Sequence, residues 1–323
     1  PPLEQRIRRI EPGWDGQFIV PRPVSAVEVE KEEEKLHPGI SPEGMMTGAV
    51  ILTSVLDNIE KGSTPETAHL EEAERLLDAV PDELREAARE PYGARALVYA
   101  LVLDSDHEIL KKQMWHLQDN ADTGVAMLTE KYMGTVKRLA PRLRLTLVDL
   151  AMPALRQLSA QQYRLFRDNL NTLIEMDGEI SPFEWSLQKI VLHNLDMEFQ
   201  HKIPPLGRYG SLTRLRREIG IMLSFLAHNT HNSQMQRLHA FQAGARELGM
   251  EELQLLREKE LDLEKVDRAL DRLAQLKPLL KPRLLKACAA CVAADGRITP
   301  TEMELLRAFS SLLDCPLPPL PQQ

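Results

Sequence analysis

Apolar residues return every three or four positions along most of this chain, and sustained two-residue alternation is scarce, so the pattern predicts helix throughout. From residue 63 the pattern is continuous. Ser63 or Thr64 with Pro65 opens a helix to Leu77, and Pro81 starts another. Pro91 introduces an apolar one to Leu103 with the stripe Leu97, Val98, Leu101 and Val102. Segments 106–117, 122–139 and 141–155 follow, and the short joints marked by Pro and Gly predict antiparallel neighbours. A helical hairpin is expected over 160–195, a loop at 204–207, helices over 212–227 and 234–248, and a charged helix over 251–276 that leads into a second hairpin. The proline-rich tail 315–321 is expected to pack back on its own domain through Leu317 and Leu320.

The two hairpins share one turn. Asp177-Gly178-Glu179-Ile180-Ser181-Pro182-Phe183-Glu184 returns as Asp295-Gly296-Arg297-Ile298-Thr299-Pro300-Thr301-Glu302, 118 residues later (295 minus 177). Gly ends one helix, Ser181 or Thr299 caps the next, Pro fits its first turn, and Glu184 or Glu302 completes a capping box. The register extends outward: Phe166, Leu170, Leu173 and Ile174 align with Leu284, Cys288, Cys291 and Val292, and Leu187 and Val191 with Leu305 and Phe309. A separation this long excludes a solenoid unit and predicts two similar hairpin subdomains within an all-α, multi-helix bundle. The chain divides into a connector at 1–62, a helical domain at 63–158 and the duplicated region at 159–323.

Composition narrows the function classes. Forty-eight acidic residues against 40 basic ones give a net charge of −8, which supplies no general attraction to a phosphate backbone, so nucleic acid is not an expected partner. The apolar run at 45–56 is far shorter than the ~20 residues that span a bilayer. Residues Pro1 to Arg6 lack the starting methionine and apolar core of a signal peptide, and the chain is expected to be a piece of something longer. Three cysteines fit a reducing compartment. Cys288 and Cys291 have the spacing of a redox or zinc pair, yet they occupy leucine positions of the first hairpin, which favours buried core residues.

Candidate chemistry is sparse. His107-Glu108 lacks the second histidine of a zinc peptidase, because Lys111 stands in its place. His228 and His231 are the densest histidine pair and, with Asp177 and Asp295, the candidate metal ligands. The Asp-Gly turns lack the alternating oxygen ligands of an EF-hand loop. No phosphate-binding Gly loop and no nucleophile elbow occurs, so no catalytic residue and no cofactor is assigned to this chain. Asp177, Gly178, Ser181, Glu184, Asp295, Gly296, Thr299 and Glu302 remain as capping residues and candidate contact points, with capping already explaining their identities.

The opening Pro1-Pro2-Leu3-Glu4-Gln5-Arg6-Ile7-Arg8-Arg9-Ile10 resembles the final helix of HtpX-type integral-membrane zinc metallopeptidases. Pro91-Tyr92-Gly93-Ala94-Arg95-Ala96-Leu97, the paired turns and Asp314-Cys315-Pro316-Leu317-Pro318-Pro319-Leu320 resemble the C-terminal extension of a bacterial branch of that family, and the Asp-Gly hairpins are similar to TerB-like domains. The resemblance implies a parent with membrane helices and a zinc site upstream, on whose cytoplasmic side this region serves as a regulatory, substrate-recognition or assembly module. Its implied partners are the protease domain, the membrane segments of the same polypeptide and protein substrates. Zinc belongs to that parent. The alternative is an independent TerB-like metal-binding protein or enzyme that uses carboxylates or histidines.

Overall fold

The computed structural model describes residues 67–200, 207–296 and 298–315. The connector at 1–62, most of the loop at 204–207 and the tail beyond Cys315 lie outside the described residues. Thirteen α-helices and no strand occur among them, and the fold is all-α.

Six helices form the first group: α1 (Thr67–Ala79), α2 (Asp82–Ala88), α3 (Pro91–Leu101), α4 (His107–Asn120), α5 (Val125–Lys137) and α6 (Arg144–Leu155). The nearly continuous apolar run in α3 leaves no polar face to show to water, so α3 is the axis. Residues 93–100 are all buried, with α2, α5 and α6 packed around them. Arg95 enters this core because its charge is matched there: the guanidinium bonds to Asp122 and to the Pro91 carbonyl, and lies over the Tyr92 ring.

A second group surrounds α9 (Arg216–Thr230), buried from Glu218 to Ala227, with α10 (Gln234–Glu247), α11 (Leu263–Leu273) and α12 (Lys281–Val292) against it. The hairpins are α7 (Ala160–Glu175) with α8 (Pro182–Phe199), and α12 with α13 (Pro300–Leu312). Their second helices, α8 and α13, pair along their length, and Trp185, Phe225 and Phe309 meet where these two helices join α9, with ring centroids 5.1–6.4 Å apart. The first helix of the first hairpin lies instead on α3 and α4, where Phe166 meets Tyr99 at 5.4 Å. One contiguous apolar core runs from Val80 to Leu313.

The aligned positions behave alike. Phe166, Leu170, Leu173, Ile174, Leu187 and Val191 and their counterparts Leu284, Cys288, Cys291, Val292, Leu305 and Phe309 are each at most 1% exposed. At about 1.5–3 kcal/mol for each large apolar side chain taken from water, this shared register accounts for much of what holds the hairpins in place. Cys288 and Cys291 are free thiols inside the core. They sit where Gly244 of α10 lets α12 approach closely: a Cβ on Gly244 would lie 2.8 Å from the Ala287 carbonyl oxygen and 3.2 Å from the Cys291 Cβ. Their sulfurs face α9, with Cys288 Sγ 3.7 Å from Met222 Sδ and Cys291 Sγ 3.8 Å from the Leu223 carbonyl oxygen, so leucines at these positions would crowd that helix.

One expectation fails. The charged helix over 251–276 is a strap followed by a shorter helix, because Asp262 caps α11 through the Lys265 amide at 2.7 Å and starts the helix there. Upstream, the Leu256 amide donates to Ser224 Oγ at 3.0 Å and its carbonyl accepts from His228 Nε2 at 2.8 Å, so the strap finds its partners on α9. Leu253, Leu255 and Leu256 pack on the core from an extended backbone, which their helix-like density in sequence conceals.

Candidate functional site

Both shared turns form as capped corners. Gly178 (φ 82°) and Gly296 (φ 79°) take the left-handed conformation that stops each helix. Ser181 Oγ accepts from the Glu184 amide at 3.2 Å while the Ser181 amide donates to Glu184 Oε2 at 2.9 Å; the Thr299 and Glu302 pair repeats this at 3.3 and 2.6 Å. Burial pushes both capping carboxyls upward despite these bonds. Asp177 is exposed and accepts from the Glu179 amide at 3.1 Å, whereas Asp295, also exposed, lies within electrostatic reach of His231.

The histidine pair is separated by the end of α9. His228 occupies the last turn and bonds to the strap, while His231, the extended residue after the helix, has its Nδ1 within hydrogen-bond distance of Thr230 Oγ1 at 2.7 Å. Burial pushes the His231 imidazole down, and the Asp295 charge opposes that only in part. Among the described residues, no group of three or more His, Cys, Asp or Glu side chains is arranged to hold a metal ion.

Concavities line α8. Two clefts, of about 340 and 410 Å³, share His193 as a common wall. The first runs between α8 and α11 and contains Asn171, Lys189, Asp196, Asp267 and Asp271; the second runs along α13 to Asp149, Arg307, Ser311 and Cys315. Their charges are tied in pairs. Lys189 donates to Asp267 at 2.6 Å, Tyr163 donates to Asp196 at 2.5 Å, and Arg307 reaches both oxygens of Asp149 at 2.9 and 2.7 Å.

At the shared wall, His193 Nε2 lies 3.0 Å from Asp314 Oδ1, and the nearly buried Lys281 donates to Asp314 Oδ2 at 3.3 Å. Burial alone would raise the Asp314 carboxyl, but the His193 bond and the Lys281 charge outweigh it and hold the group below the usual range. Asp314 also has φ 49°, alone among non-glycine residues in the described chain in taking a positive value. It is the residue after the α13 cap, where the Cys315 amide bonds back to Ser310 and the Asp314 amide to Ser311, a position that normally takes glycine. The strain there, on the order of 1 kcal/mol, is offset by the His193 bond and the Lys281 ammonium, which glycine could not engage. Cys315, beside it, has its thiol pushed up by burial, which favours the protonated form over a nucleophilic thiolate.

Sequence reasoning placed the capping residues and missed this cluster. His193 and Asp314 are 121 positions apart, and no local spacing links them. The available signal was the aspartate, rather than glycine, two residues past the last turn of α13. No protein-family model, curated protein or solved structure matches the chain.

Proposed function

We propose that this region is a non-catalytic recognition or regulatory module of a membrane-bound zinc metallopeptidase of HtpX type, with TerB-like hairpins as its scaffold, held at the cytoplasmic face of a bacterial membrane by its parent. The family part of the reading is supported by the residues at 1–10, 91–97 and 314–320 and by the paired Asp-Gly turns. The observation that carries the module part is the pair of clefts on α8, where the Lys189–Asp267 and Arg307–Asp149 ion pairs and the His193–Asp314 bond join helices far apart in sequence. Such an arrangement presents a fixed polar surface and leaves its groups engaged in structure. Among the described residues, no helix is long and apolar enough to cross a membrane.

The test uses the full gene product with Lys189→Glu and Arg307→Glu introduced together. Cleavage of an unfolded protein substrate should change several-fold more than cleavage of a short peptide. Equal effects on both substrates would remove the recognition role. Zinc held stoichiometrically by the purified 323-residue chain, and lost on changing His228 and His231, would favour the metal-binding alternative instead.

A further inference from the structure

Four residues of α9 stand in one row, each four positions beyond the last: Arg216, Gly220, Ser224 and His228. All four meet the strap. Arg216 pairs with Glu252 at 2.8 Å, and Leu253 lies over Gly220, its Cδ2 4.0 Å from where a Cβ of that glycine would stand. Ser224 Oγ and His228 Nε2 then take the two main-chain groups of Leu256, the amide and the carbonyl. Past the end of the row, Arg237 of α10 lies 3.7 Å from Glu258. The order of contacts, from Arg216 with Glu252 to His228 with Leu256, lays an extended chain along α9 in the helix's own direction. His228 Nδ1 is buried and has no hydrogen-bond partner among the described residues, so the ring's one bond is to the strap.

Each contact asks something different of the chain it holds. The Leu256 bonds need only a backbone, the notch at Gly220 needs an apolar side chain, and Arg216 and Arg237 need acids on either side. Extended peptides are recognised in this manner, with main-chain bonds for affinity and side-chain seats for selection. The strap holds its place lightly. Leu253, Leu255 and Leu256 are half-buried while α9 beneath them is buried from Glu218 to Ala227, and the Arg216–Glu252 pair is more than half exposed on both sides, which leaves it little strength. We propose that this row is a groove for an extended, leucine-bearing polypeptide segment with acidic flanks, and that the strap is a built-in occupant which such a segment displaces. The groove is a second site, on a different helix from the clefts of α8. Gly249 (φ 66°) and the Asp262 cap fix the strap's two ends, so it competes at a roughly millimolar effective concentration, and a free segment binds weakly until the strap is loosened.

Leu253→Ala with Leu256→Ala in the 323-residue chain loosens the strap and leaves the row on α9 intact. Two labelled peptides serve as probes: one has the sequence of residues 250–260, and the other keeps only its leucines and acids and changes the rest. By fluorescence anisotropy, both should bind this variant at least about tenfold more tightly than they bind the wild type. Adding Ser224→Ala and His228→Ala should weaken that binding by about tenfold or more. No binding by the loosened chain, equal binding of a scrambled peptide, or binding of the strap's own sequence alone overturns the proposal. Should the loosened chain fail to fold, hydrogen exchange of the wild type decides. With the second peptide in excess, the Leu256 amide, which bonds to Ser224, should exchange several-fold faster while the amides of 219–227 stay level. An unchanged Leu256 rate, or one that rises together with 219–227, overturns the proposal equally.

Discussion

The two hairpins have the same corners and different cores. Both turn through a left-handed glycine into a reciprocal capping box, and both bury six aligned side chains almost completely. In the first, α7 presents Phe166, Leu170 and Leu173 and lies against α3 and α4. In the second, α12 replaces the two leucines with Cys288 and Cys291 and lies against α10, close to Gly244. Local chemistry fixes the corner whatever surrounds it, whereas the volume of the core residues follows the helix each hairpin must fit.

That contrast can be broken in order of size. Leu173→Ala should cost about 2–5 kcal/mol, whereas Cys291→Ala at the matching position should cost about 1, with urea unfolding as the measure. Comparable losses at both sites would mean that the cysteines fill as much space as the leucines. Next comes Gly244→Ala, expected to destabilise by roughly 1–3 kcal/mol because its Cβ meets backbone in α12.

The corners should respond more evenly. Ser181→Ala and Thr299→Ala should each cost about 1 kcal/mol. The second should cost somewhat more, because Glu302 is 2% exposed and would lose a partner where water cannot replace it. Thermal unfolding of the two variants side by side gives the comparison. The smallest expected effect belongs to pH at His231, the residue after α9 that feels the Asp295 charge of the second corner. Burial lowers the His231 imidazole, so the unfolded chain binds its proton more readily. Stability should fall as pH drops below about 6.5, the ordinary histidine range, and His231→Gln should flatten that limb of the urea midpoint curve.

What was legible in the sequence was whatever depends on neighbours. Glycine, hydroxyl, proline and glutamate at fixed offsets specify a corner through bonds three residues long, and the helical stripe specifies which side chains go inside. The strap at 251–260 was not legible. Leu253, Leu255 and Leu256 have the density of a helical face, and the Ser224 hydroxyl and His228 ring that hold them extended come from another helix. The cleft was hidden for the same reason, since His193, Lys281 and Asp314 meet only after α8, α12 and α13 are assembled.

The meeting of Trp185 with Phe225 and Phe309 gives the molecule an optical gauge of its own assembly. Trp185 is 1% exposed and Trp115 is 66% exposed, so their emission should fall at well-separated wavelengths. In a chain carrying Trp14→Phe and Trp115→Phe, any ligand, proton or partner that draws α13 away from α8 would shift the remaining signal to the red without an added label.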